Sequence, residues 1–260
     1  MSSIKFALRF LIHCLKARNT KGYGVHSPYV FHFVRYVLNE NMPFYVFKDI
    51  EKIREQLLLN NETINVTDFG AGANRKDKIR NLAKRAMKSP QQAQLLFRIV
   101  HCFKLKNIME LGTSFGITTM YLASVDSKSQ CVTLEGCPEI SNIAKKNFQT
   151  LGLSNIKLYN CNIDKELGAV LAKHGQQDLI FIDANHRYQP LMNYFETSLK
   201  YIGENSIMII DDINWSDDMR QAWNVIQKHP EVTSTIDLFY MGIVFFNPVL
   251  TRKNYVVRIT

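Results

Sequence analysis

The segment Asn107–Glu135, NIMELGTSFGITTMYLASVDSKSQCVTLE, constrains the fold of this 260-residue chain more than any other. Ile108-Met109-Glu110-Leu111 is a short apolar run of strand length. Gly112-Thr113-Ser114-Phe115-Gly116 is a loop bounded by glycines. Ile117–Ser124 continues as a helix, and Cys131-Val132-Thr133-Leu134 is a second apolar run closed by Glu135. Two strands joined through a helix form a parallel β-α-β unit. That unit brings the first loop and the end of the second strand together at the carboxyl edge of the sheet. Backbone approaches a ligand closely at glycine, and an acid at the second strand end can hold a ribose diol. The unit therefore predicts a nucleoside-containing ligand.

Downstream, strand and helix signals alternate. Strands are predicted at Ile156–Tyr159, Leu179–Ile182, Ile207–Ile210, Thr235–Tyr240 and Ile243–Phe246, with Tyr255–Ile259 a further extended segment. The Thr235–Tyr240 and Ile243–Phe246 strands flank Met241-Gly242, read as the turn of an antiparallel hairpin. Upstream, helices are predicted at Ile4–Leu15, Tyr29–Leu38, Phe47–Leu59, Arg75–Met87 and Pro90–Phe103. Ser27-Pro28 and Ser89-Pro90 are start signals. Val66–Gly72 looks like a second nucleotide loop, with Asp68 before Gly70-Ala71-Gly72. No second strand follows at the right distance, so Asp68–Gly72 is read as a loop leading into helices.

The ligand follows from the spacing Glu110-x-Gly112-x-x-x-Gly116. A pyrophosphate site prefers G-x-G-x-x-G, and an acid ahead of the first glycine suits an ammonium group better. S-adenosylmethionine (SAM) carries an amino acid and an adenosine but no phosphate. Here the chain resembles the class I SAM-dependent methyltransferases, whose first motif is E/D-x-G-x-x-x-G. The resemblance implies that Glu110, Gly112, Thr113, Ser114 and Gly116 surround the methionine part, and that Glu135, with Gly136, holds the ribose. It implies an α/β, Rossmann-like, seven-stranded, mostly parallel sheet with helices on both faces, in the order 3-2-1-4-5-7-6. The methyltransferase domain would span 107–260, and residues 1–106 would form an N-terminal helical extension. After the third strand, the family often places an acid that reads the adenine amine; this chain has Asn162, with Ile163 to cover the ring.

The fourth predicted strand ends in Asp183-Ala184-Asn185-His186 and the fifth in Asp211-Asp212. Clustered carboxylates repel unless a cation or proton is shared. Oxygen ligands of this kind suit Mg²⁺, with Mn²⁺ or Ca²⁺ as alternatives. The pattern resembles the cation-dependent O-methyltransferases of the catechol and caffeoyl-coenzyme A type. The resemblance implies Asp183, Asp211 and Asp212 as metal ligands, with Asp183 also beside the reacting methyl. Where the family carries its catalytic lysine, this chain has His186, a credible general base near neutral pH. Trp215 is read either as a wall of the acceptor pocket or as a core anchor.

Charge is unevenly placed. Residues 1–106 hold 19 Lys/Arg against 7 Asp/Glu, whereas residues 107–260 hold 13 against 16. The basic excess is read as a solvated face; its alternative is an anionic partner such as nucleic acid, for which no binding motif is present. Ile4–Leu15 forms a basic amphipathic stripe through Ile4, Leu8, Leu11 and Leu15, expected to dock on the chain's own core or on a second copy in a homodimer. No apolar run approaches the ~20 residues of a membrane span. The five cysteines lack a C-x-x-C pair and read as reduced thiols, consistent with a cytoplasmic setting. The expected activity is SAM-dependent methylation of a small-molecule hydroxyl. Alternatives are methylation of RNA or another anionic macromolecule, and a non-catalytic SAM-binding scaffold.

Overall fold

The computed structural model describes residues 3–68 and 73–258. The chain divides into two compact units: residues 1–41 with 168–260, and residues 42–167. The N-terminal 106 residues are therefore shared between units, and the boundary expected at 106/107 falls inside the second.

The first unit begins with helices α1 (Ser3–Lys16) and α2 (Pro28–Phe33). The apolar stripe of α1 does not dock on the chain's own core. Leu8, Leu11 and Leu15 are 55%, 57% and 72% exposed, while Arg9 and His13 are buried. Polar anchors outweigh the apolar stripe here. Arg9 donates to the Asn214 carbonyl at 3.2 Å and pairs with Asp217. His13 places Nε2 3.2 Å from the Val257 carbonyl and Nδ1 3.3 Å from Asp237. Phe6 and Phe10 meet Phe239 edge-on, with ring centroids 5.1 and 5.0 Å away. Ser27 caps α2 and Pro28 opens it, as read from the sequence. After Phe33 the helix widens into a π-helical turn, Val34–Leu38, instead of continuing as α-helix.

The second unit carries α3 (Tyr45–Leu59), β1 (Thr63–Asp68), β2 (Ala73–Lys78), α4 (Ile79–Ala86) and α5 (Pro90–Phe103). It continues through β3 (Asn107–Leu111), α6 (Ile117–Ala123), β4 (Gln130–Glu135), α7 (Pro138–Thr150) and β5 (Ile156–Asn160). The chain leaves it within α8 (Ile163–His174). Residues 75–78, expected to be helical, instead lie in β2, which pairs antiparallel with β1. β2 reads ANRKDK and has no apolar alternation, so only its partner strand reveals it. Residues 69–72 of the expected Asp68–Gly72 loop lie outside the described residues.

Ser89 and Gln92 close a reciprocal capping box at the start of α5. Ile50, Ile64, Phe97, Tyr121 and Ala144 belong to one buried cluster that binds α3, the hairpin and α5 to α6 and α7. Each such large apolar side chain stabilises by about 1.5–3 kcal/mol relative to exposure. β3, β4 and β5 lie parallel with β4 in the centre. Ile108, Met109 and Leu111 are all fully buried, as a parallel strand covered on both faces requires.

Back in the first unit come β6 (Gln177–Ile182), α9 (Tyr188–Leu199), β7 (Ile202–Asp211) and α10 (Asp217–Ile226). They are followed by β8 (Ser234–Asp237), β9 (Met241–Phe245) and β10 (Lys253–Val256). The strands run in the order β10-β8-β9-β7-β6. β6 and β7 are parallel, β9 is antiparallel to both β7 and β8, and β10 joins β8 in parallel. The expected order thus holds within each unit, as 3-2-1 and as 4-5-7-6, with β10 an added strand. The fold is α/β, Rossmann-like and mostly parallel. Among the described residues no helix is long and apolar enough to cross a membrane.

The β8–β9 turn falls at Leu238–Tyr240, not at Met241-Gly242. Leu238 N–H donates to the Met241 carbonyl at 3.0 Å, and Phe239 has φ 74°. Gly242 sits inside β9, where a Cβ would lie 2.5 Å from Cη2 of Trp223. The glycine admits the indole ring and does not make the turn. Gly242→Ala is expected to destabilise the protein by about 1–3 kcal/mol through overpacking. Urea unfolding checks this, and an unchanged midpoint would show that Trp223 has room to move.

Candidate active site

The glycine loop is fixed at both ends. Gly112 N–H and Thr113 N–H both donate to the Leu134 carbonyl, at 3.0 and 3.1 Å. Gly116 N–H closes the turn onto the Thr113 carbonyl at 2.9 Å. Gly112 and Gly116 have φ 100° and 80°, and Ser114 joins them at 49°. Ser114 is held there by Glu135, whose Oε2 accepts from Ser114 N–H at 2.9 Å. Glu135 Oε1 accepts from Cys137 N–H at 2.8 Å. A carboxylate offers about four lone-pair directions. At least two are used here, at a half-buried carboxylate. Asn160 Nδ2 donates to the carbonyls of Glu135 and Gly136, at 2.8 and 3.2 Å, and steadies the strand end.

Beneath the loop runs a hydroxyl relay. Glu110 Oε2 accepts from the hydroxyls of Thr119 and Thr133. Thr133 has a single proton and gives it to Glu110, so the 2.6 Å contact between Thr113 and Thr133 must be donated by Thr113. Glu110 is fully buried and presents no surface to a ligand. Its place is therefore under the loop, tying β3, α6 and β4 together, in contrast to the ammonium-facing role read from its position. Thr119 and Thr133 were not picked out from the sequence; a threonine inside the apolar run Cys131–Leu134 is the signal that could have found one of them. Burial, together with the charge of Glu110, pushes the Cys131 thiol well above its ordinary range.

Asn162 opens α8. Its Oδ1 accepts from Asp164 N–H at 2.9 Å, and its backbone carbonyl accepts from Glu166 N–H at 3.0 Å. The side chain that stands in for the family's acid is thus also a helix cap, and Ile163 follows it as a partly exposed first helical residue.

In the other unit, the ends of β6 and β7 carry the second constellation. His186 Nε2 lies 3.6 Å from Asp183 Oδ1 and 4.0 Å from Asp212 Oδ2. Both are ion-pair distances for a protonated ring, and longer than a hydrogen bond. Asp211 is buried, whereas Asp183, His186 and Asp212 keep 14%, 31% and 32% of their side-chain surface. Asn185 and Asp212 have φ 47° and 53°. Of the five described non-glycine residues with positive φ, three (Ser114, Asn185 and Asp212) fall in the two predicted constellations. Strained backbone concentrates at functional loops, so this placement supports both. Among the described residues, no three of His, Cys, Asp and Glu are arranged to hold a metal ion. The set Asp183, Asp211 and Asp212 is therefore not assembled as a metal group: an imidazole stands between two of the carboxylates, and the third is buried. Trp215 is 56% exposed and touches Phe6 edge-on at 6.4 Å, so it is no core anchor.

Comparison with known proteins agrees with this geometry. Residues 109–213 match the model of a methyltransferase domain. A catechol O-methyltransferase of Niastella koreensis is 28% identical over 128 residues, which cover 48% of this chain and 57% of the relative. A catechol O-methyltransferase of Mycobacterium tuberculosis is 24% identical over 165 residues, covering 56% and 71%. An O-methyltransferase of Bacillus cereus, solved in complex with SAH, superposes with a TM-score of 0.58 at 21% identity, covering 81% of this chain and 95% of that one. The matched segment is similar to a methyltransferase domain, and the fold is that of the solved methyltransferases it superposes on. The curated relatives named here are catechol O-methyltransferases, and this chain spans little more than half the length of the first.

Proposed function

We propose that this protein is a SAM-dependent O-methyltransferase acting on a small-molecule hydroxyl. The observation that carries the proposal is the Glu135–Ser114 bond, which couples a ribose-binding acid to a left-handed glycine loop. The names of the relatives supply the oxygen acceptor. SAM provides the methyl group as an activated sulfonium. The loop Gly112–Gly116 receives the methionine part, Glu135 and Gly136 the ribose, and Asn162 and Ile163 the adenine. Glu110 supports the loop from below through Thr133 and Thr113.

His186 is the general base that takes the acceptor's proton. Asp183 and Asp212 flank its Nε2 at 3.6 and 4.0 Å. The arrangement of Asp183, Asp211 and Asp212 does not fit a three-carboxylate Mg²⁺ site, so the proposed proton transfer runs through His186 alone.

His186→Asn is expected to lower turnover of a catechol acceptor by about 10²–10⁴-fold with little change in SAM affinity. Turnover of the unmodified protein should be the same in EDTA as in Mg²⁺. Native turnover in His186→Asn would remove the base. Activity found only with Mg²⁺ would restore the metal. SAM binding without methylation of any phenolic or catechol acceptor would favour the scaffold reading.

A further inference from the structure

A cavity of about 260 Å³ opens beside α1, walled by Arg9, His13 and Lys16 from that helix and by Arg220 and Trp223 from α10. β8 and β10 contribute Asp237 and Asn254. All of these residues belong to one compact unit.

The lining is one-sided in charge. Arg9, Lys16 and Arg220 are cationic at neutral pH, and Arg9 is already paired with Asp217. Asp237 is the one carboxylate among the lining residues, and it is already engaged. Phe239 N–H donates to its Oδ1 at 2.8 Å, and His13 Nδ1 lies 3.3 Å from the same oxygen. Lys16 and Arg220 make no ion pair among the described residues.

The neutral groups are mixed: Asn214 and Gln227 donate through their amide nitrogens, to the Phe239 carbonyl at 2.9 Å and the Thr235 hydroxyl at 3.2 Å, and keep their side-chain oxygens. Asn254 Oδ1 accepts from the Thr235 hydroxyl at 2.9 Å, which leaves the amide nitrogen as that side chain's remaining function. A small cavity with cationic side chains and one engaged carboxylate suits oxygen acceptors that carry negative charge. Arginine and lysine together suit the oxygens of a phosphate group.

The geometry points to a binding site for a phosphate-bearing ligand in this cavity, independent of the methyl-transfer reading. The apolar, exposed Leu8, Leu11 and Leu15 lie on the same helix as Lys16. The phosphate can therefore come from a soluble ester or from a lipid headgroup, and the test separates the two.

Calorimetric titration of the full chain with inorganic phosphate, at constant ionic strength, is expected to show saturable binding. The double variant Lys16→Gln/Arg220→Gln should weaken it about tenfold or more. Lys84→Gln, which removes an exposed charge on α4, should leave it unchanged. Circular dichroism of each variant establishes that the fold is retained. Absence of saturable phosphate binding would overturn the proposal, as would equal affinity in the double variant and the control. A co-sedimentation arm uses phosphatidylcholine vesicles with and without phosphatidylglycerol. Retention that needs both phosphatidylglycerol and Lys16/Arg220 assigns the phosphate to a headgroup. Free phosphate binding without retention assigns it to a soluble ester.

Discussion

Gly116→Ala is expected to cost about 2–5 kcal/mol of stability, from a left-handed backbone and a steric overlap acting together. At φ 80°, an alanine adopts a conformation that only glycine takes freely. Its Cβ would lie 2.4 Å from Cε1 of Phe148 and 3.3 Å from Cβ of Ala144, both in the packed face of α7. Phe148 is nearly fully buried, so its ring has little room to retreat. A loss of this size is a large fraction of the ~5–15 kcal/mol that holds a typical domain together. Urea unfolding should show a clearly lower midpoint, and SAM affinity should fall with it, because the loop begins and ends on the displaced backbone. An unchanged midpoint would mean that α7 shifts freely, and that Gly116 is required for ligand approach alone.

Glu135→Ala should weaken SAM binding by about 100-fold or more, equivalent to ~2.7 kcal/mol. The substitution removes two effects. One is the acceptor for the ribose hydroxyls. The other is the charge-assisted bond that holds Ser114 at φ 49°, where charged hydrogen bonds contribute about 1.5–3 kcal/mol each. Glu135→Gln separates them. Its carbonyl can still serve Ser114 or Cys137, but its amide nitrogen cannot accept from the other. An intermediate affinity in Glu135→Gln is therefore expected by calorimetry. Native affinity in Glu135→Ala would remove this acid from the cofactor site.

The parts of the fold legible in the sequence were those whose pattern and packing share one cause. Ile108–Leu111 and Leu179–Ile182 are apolar because parallel strands are covered on both faces, and their positions were readable to within a residue or two. The capped helix Pro90–Phe103 was readable because Ser89 and Pro90 act locally. What was not legible depends on partners distant in sequence. β2 is a polar segment made into a strand by its register against β1. α1 presents an apolar stripe, yet docks through Arg9 and His13 because Asp217, Asn214, Asp237 and Val257 await them.

The same limit governs the site. The positive φ of Gly112 and Gly116 and the place of Glu135 at the end of its strand were readable because glycine loops and strand ends are local features. The burial of Glu110 under two threonine hydroxyls is set by neighbours on three elements. Three aspartates looked like a metal set from spacing alone, but spacing does not fix where His186 points. The ring occupies the place between Asp183 and Asp212.

The bond from His13 to the Val257 carbonyl joins residues 244 positions apart. During synthesis, residues 42–167 form a continuous stretch whose internal contacts are complete once that stretch has emerged. The opening helix has to wait. Its anchors at Asn214, Asp217, Asp237 and Val257 are translated long after it, and domains assemble in the order in which their parts appear. Until they are made, Arg9 and His13 lack the partners that hold them in the fold. The helix α1 is made well before the residues that hold it.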